Sequence, residues 1–130
     1  MTRPRVTLAL LEDELAVCRL APDAPIPDIA ADAELVSLTR TRTELSVVCP
    51  VEAAPRGATV ERGWRALGVA GPLDFALTGI LASLTDPLAA AGVSIFAIAT
   101  YDTDYVLVRA DQLDAAIEAL RAAGHEVRTA

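Results

Sequence analysis

Lysine is absent from this 130-residue chain: all 11 basic residues are arginine, 18 residues are acidic, and the formal net charge is −7. The arginines are scattered, and a field of this sign repels phosphate backbones, so no nucleic-acid partner is expected. The missing lysine itself reads as a compositional habit of the source. Cysteine is scarce too, with Cys18 and Cys49 alone, each inside an apolar run ("AVCRL", "SVVCP"). Two thiols make no zinc site, and in such runs they serve as small buried hydrophobes. Long hydrophobic runs are also missing. The longest uncharged stretch, Pro87 to Tyr101, holds 15 residues and includes Pro87, Gly92 and Ser94, too short and broken to span a bilayer. The opening "MTRPRVTLALLEDEL" meets acidic residues at Glu12 with no small-residue cleavage site after it. No membrane partner or signal peptide is expected, and the expected location is cytoplasmic.

What is present is 53% hydrophobic, enough for one globule or two very small domains sharing a core, since chains of this size bury roughly 65–70% of their unfolded surface. "RVTLALL" and "LAVCRL" are β-prone runs joined by Glu12-Asp13-Glu14 and read as a hairpin. Pro22, Pro25 and Pro27 then forbid regular structure up to a single helical turn near 28–33. A second hairpin is expected within Glu34–Pro50, its last strand the more deeply buried. Val51–Gly63 reads as a linker and "WRALGVAG" as a strand from Trp64 to Ala70. Leu77, Ile80, Leu81, Leu84 and Leu88 recur at helical spacing, with Asp74 suited to the first turn and Ala91-Gly92 to the end. Val93–Tyr101 and Thr103–Arg109 read as strands with a tight turn at Asp102; a helix capped by Asp111 and ended by Gly124, then the strand "HEVRT", close the chain. The second half thus has the β-α-β-β-α-β order of a ferredoxin-like fold.

At this point "ELSVVCP", "VERGWRALGVAGPLDFALTGILASLTDPLAAAGVSIFAIATYDTDYVLV" and "AIEALRAAGH" carry a resemblance. They resemble a bacterial family of small tandem ACT-domain proteins, the ACT modules of CASTOR-type arginine sensors and, more loosely, those of aspartate kinases. The resemblance implies an α+β fold of two ferredoxin-like ACT units of βαββαβ type, the first reduced in helix, with helices on one face of an antiparallel sheet. The expected division is 1–60 for the reduced ACT-like domain and 61–130 for the ACT domain. It further implies an amino acid or similar small effector bound where two such domains pack side by side, and hence a homodimer.

A free amino acid carries a carboxylate and an ammonium on one carbon, so its site needs anion-binding amides beside an anionic wall. Gly71 lets backbone approach backbone, Pro72 pre-sets the turn, and the amides that follow, from Leu73 on, lie at the positive end of the helix beginning there. Asp102 or Asp104 could receive the ammonium. Carried over from the CASTOR-type pattern, the loop glycine and the strand-end Thr-aromatic and Asp positions are Gly71, Thr100, Tyr101 and Asp104. The same residues are also ordinary turn chemistry. Asp74 reads as a structural helix-terminal acid, Trp64 as a core or interface anchor, His125 as a solvated turn residue, and Arg40 with Arg42 as a solvated strand face. Three aspartates do not fill a calcium shell, and no activated nucleophile is visible. Neither metal, cofactor nor enzymatic activity is therefore expected. Two functions compete: an amino-acid-binding regulatory module, and an assembly module that uses the ACT fold only to pair sheets or helices.

Overall fold

The structure, a computed structural model, describes residues 4–29, 31–71 and 79–129. The chain divides into two compact units, Glu12–Trp64 on its own and Met1–Leu11 together with Arg65–Ala130.

With strands numbered along the chain from β1 (Thr7–Leu10), the unit of residues 12–64 holds β2 (Leu15–Leu20), β3 (Ser37–Arg40), β4 (Leu45–Pro50) and the first part of β5 (Thr59–Val69). Their order is β3-β4-β2-β5. The expected hairpin of β3 and β4 is present, with Leu38 opposite Val47. Thr41 ties its turn, its Oγ1 accepting from the amides of Thr43 and Glu44. Alternate residues of β2 and β4, Ala16, Cys18, Leu45, Val47 and Cys49, make the core of this unit, covered by Ala24, Ile29, Ala53 and Ala58 from the loops. Arg40 holds one of those loops down, donating to the carbonyls of Pro22 and Ala24. It is thus tied to its own chain, and Arg42 lies in the turn beyond β3.

Three sequence expectations change here. β1 and β2 do not form a hairpin: each pairs antiparallel with β5, β1 placing Leu8 opposite Val69 and β2 placing Leu15 opposite Trp64. The acidic tripeptide therefore joins two partners of a third strand. The stretch read as a linker ends early, because β5 begins at Thr59. Gly63 does not stop it: with φ of +81° it sits where the β2–β5 register shifts between Leu15 and Val17, the left-handed residue of a bulge. Among the described residues near 28–33 there is a turn but no helix.

The second unit carries the order β5, α1 (Ile80–Ala90), β6 (Ile95–Ala99), β7 (Asp104–Arg109), α2 (Leu113–Ala122), β8 (Glu126–Arg128). β6 pairs β7, β7 pairs β5, β5 pairs β1, and β1 pairs β8. A bare βαββαβ unit would set the last strand beside the first; here β1 stands between them and runs parallel to β8, with Leu8 opposite Val127. The sheet is mixed, not antiparallel. Leu84 and Leu88 of α1 and Ala116, Ile117 and Leu120 of α2 pack with Leu67, Val69, Val106, Val108, Leu8 and Val127 in one core. Leu67 with Val69, and Val106 with Val108, are i, i+2 pairs, so both helices lie on one sheet face. Leu81, expected on the buried face of α1, is 40% exposed; its buried face is Ile80, Ser83, Leu84 and Leu88. Leu77 and Asp74 lie outside the described residues. Asp111 falls in a 3-10 turn, Ala110–Gln112, and Gln112 is the cap residue of α2.

Candidate functional site

The β6–β7 connection is built by two threonines. The Thr100 amide donates to the Thr103 carbonyl at 2.8 Å, the Thr100 hydroxyl donates to the same oxygen at 3.0 Å, and the Thr103 amide donates back to Thr100 Oγ1 at 3.1 Å. Thr100 is thereby used up in holding the turn. Thr103 reaches further: its hydroxyl donates to the carbonyl of Val69 at 2.6 Å in a partly buried position. Val69 is the last residue of β5, two before Gly71, so this bond seats the turn on the strand end from which the Gly71 loop departs. The Ala70 amide is held in turn by the Thr7 carbonyl at 2.8 Å.

Of the residues expected to bind, Gly71 is exposed in a bend just past β5, and Pro72 and Leu73 lie outside the described residues. Tyr101 is 81% exposed at the tip of the turn and Asp102 is exposed beside it. Asp104 opens β7 opposite Ala99 and is half-buried. It stands two and four residues before Val106 and Val108, which pack against the helices, so its side chain leaves the sheet on the face that carries α1. Among the described residues no hydrogen bond or ion pair engages the carboxylate of Asp102 or Asp104. The arrangement therefore gathers Gly71, the turn and Asp104 at one end of the sheet, with uncommitted negative charge there. Such an end favours a cationic group in a ligand. Sequence reasoning passed over Thr103; the signal available was the pair of threonines bracketing Tyr101 and Asp102.

Beneath this end, Gly68 has no room for a side chain: a Cβ there would lie 2.8 Å from Cε1 of Tyr105. Among the described residues no group of three or more His, Cys, Asp or Glu could hold a metal ion, and no helix is long and apolar enough to cross a membrane.

A family model for the ACT domain matches residues 59–122. The match places an ACT domain at residues 59–122. A second, separate model of an N-terminal domain matches residues 13–57. Over 59 residues, 45% of its length, this ACT protein is 41% identical to the human cytosolic arginine sensor for mTORC1 subunit 1. It spans only 18% of that protein's length. Among solved structures it resembles protein Atu0741 of Agobacterium tumefaciens, with 36% identity, a TM-score of 0.90, and coverage of 98% of this chain and 95% of that one. The ligand-free regulatory subunit of aspartate kinase from Thermus thermophilus shares the fold at 14% identity and a TM-score of 0.66, with coverage of 93% of this ACT protein and 99% of that chain.

Three other residues bear on the sequence reading: one overturns it and two agree with it. His125, expected in solvent, is 5% exposed. Cys18 and Cys49 are free and buried, diagonal neighbours across the β2–β4 ladder. Burial, with the neighbouring Cys18 next in weight, pushes the Cys49 thiol up to about 12; burial also raises Cys18. Neither is a nucleophile at neutral pH.

Proposed function

We propose that this ACT protein is a regulatory module that binds a free amino acid at the end of the sheet formed by Gly71, the loop it opens and Asp104. The observation that supports the reading is the Thr103–Val69 bond, which seats the turn before Asp104 on the end of β5, two residues before Gly71. In this reading the loop from Gly71 through Pro72 and Leu73 receives the carboxylate of the ligand, Asp104 receives a cationic group, and Tyr101 and Asp102 line the approach. Thr100 shapes the turn. The relative named as an arginine sensor makes arginine the first ligand to test. Residues 1–60 act as a reduced ACT-like domain whose first strand serves the sheet of the ACT domain, 61–130, and the working form is a homodimer. A ligand that binds one dimer arrangement better than another stabilises it, and a partner that distinguishes the two reads the signal.

The test is calorimetric titration of the twenty common amino acids into wild type, Asp104→Ala and Gly71→Leu, with molar mass measured by light scattering. One amino acid binding at micromolar strength, about −8 kcal/mol, and lost in both variants supports the reading. No binding up to millimolar concentration refutes it, and a tight dimer under those conditions leaves the assembly module as the function.

A further inference from the structure

Pro87 lies inside α1. A proline has no N–H to give to the residue four before it, so the carbonyl of Ser83 loses its helical donor. Nε2 of His125 lies 2.8 Å from that oxygen. On the other side of the ring, Nδ1 lies 3.1 Å from the amide nitrogen of Val6. An amide can only donate and a carbonyl can only accept, so the two contacts together define one state of the imidazole: neutral, proton on Nε2, lone pair on Nδ1. In that state a single buried side chain supplies the donor that Pro87 withholds and the acceptor that holds the entry of β1. The carbonyl of Val6 accepts from the Glu126 amide at 3.1 Å, so both backbone groups of Val6 are committed to the segment that begins at His125.

We propose that His125 is a proton-sensitive latch on β1. Uptake of one proton from solvent at Nδ1 sets an N–H against the N–H of Val6, expels that amide and loosens the first turn of the β1–β8 ladder, while the Nε2 bond to Ser83 persists. The charged groups on the elements around the ring are Arg5 before β1, Asp86 on α1, Arg121 at the end of α2, and Glu126 and Arg128 on β8, all exposed. Asp114 and Glu118 lie further back along α2, exposed as well. All of them reach solvent, which weakens their hold on the ring, and its direct partners are the two backbone groups. The latch is closed while the ring is neutral and opens when it takes up a proton. β1 carries two ladders, one to β5 and one to β8, so its release acts on the centre of the ACT sheet.

The experiment is ¹⁵N NMR of the wild-type chain between pH 7.5 and 5. The expected result is an Nε2–H tautomer at pH 7.5, and, as the ring titrates, at least a tenfold loss of exchange protection at the Val6 and Glu126 amides relative to Leu107 in the β6–β7 hairpin. His125→Gln, which keeps a donor and an acceptor but does not titrate, is expected to hold its protection level. An Nδ1–H tautomer at pH 7.5, or Val6 protection that stays level while the wild-type ring titrates, overturns the proposal without reliance on the variant.

Discussion

Gly68→Ala tests the packing under the candidate site directly. The added Cβ would stand 2.8 Å from Cε1 and 3.1 Å from Cδ1 of Tyr105, where carbon atoms prefer about 3.5–4.0 Å. The ring must retreat by roughly half an ångström or more, and it has little freedom to do so, because Tyr105 stands opposite Ile98 in the β6–β7 ladder. Overpacking of this kind costs about 1–3 kcal/mol. Against it stands a gain of about 0.4–1 kcal/mol from the smaller conformational freedom of alanine in the unfolded chain. The expected net loss is about 1–2 kcal/mol, which with an m-value of about 2 kcal/mol/M lowers the urea midpoint by roughly 0.5–1 M. Trp64, the lone tryptophan and 7% exposed, reports unfolding by its fluorescence. The decisive comparison is the same substitution in a Tyr105→Ala background, where the obstacle is gone and Gly68→Ala is expected to be neutral or slightly stabilising, a coupling of about 1–2 kcal/mol. An unchanged midpoint in the single variant, or an equal loss in both backgrounds, refutes the reasoning.

Three further outcomes are expected. Because both thiols are buried and Cys49 is pushed up to about 12 from 9.0, Cys18 and Cys49 should resist a disulfide exchange reagent at pH 8 until denaturant is added. Between about pH 9 and 12 the unfolded thiol ionises while the folded one keeps its proton, so this contribution to stability is full below 9 and is lost as pH rises; a urea midpoint that climbs over that range would contradict the sign. Arg40→Ala frees the carbonyls of Pro22 and Ala24 and should make limited proteolysis faster by severalfold within residues 21–29, with the global urea midpoint moving by less than about 0.5 M; an unchanged cleavage pattern would show that the loop is held by other contacts.

The local elements were legible because each rests on neighbours in sequence. The i, i+2 alternation of Leu45, Val47 and Cys49, the i+4 recurrence of Ile80, Leu84 and Leu88, and Gly92 past the end of α1 are short-range signals, and all of them appear in the structure. The tight turn between β6 and β7 was visible in the same way, though not the threonine bonds that hold it. Partner choice was not. "RVTLALL-EDE-LAVCRL" reads equally as a hairpin or as two strands served by a third, because nothing local decides between pairing with each other and pairing with a strand some fifty residues away. The tertiary structure chose β5, and with that choice came the parallel β1–β8 contact and the mixed sheet. Gly63 and His125 show the same limit from the side of single residues. A glycine in a polar stretch signals a break, and only a register shift against β2 reveals it as a bulge inside a strand. A lone histidine in a turn signals solvent, and only the approach of Val6 from the start of the chain and of Ser83 from a proline-interrupted helix gives both its nitrogens backbone partners. Periodicity and turn chemistry are properties of a segment, so the sequence by itself determined both helices and the centres of the strands, but not the start of β5 at Thr59, which depends on pairing with β2. Hydrogen bonds between segments distant in sequence belong to the folded molecule, and they alone decided which strands meet and which side chains come together.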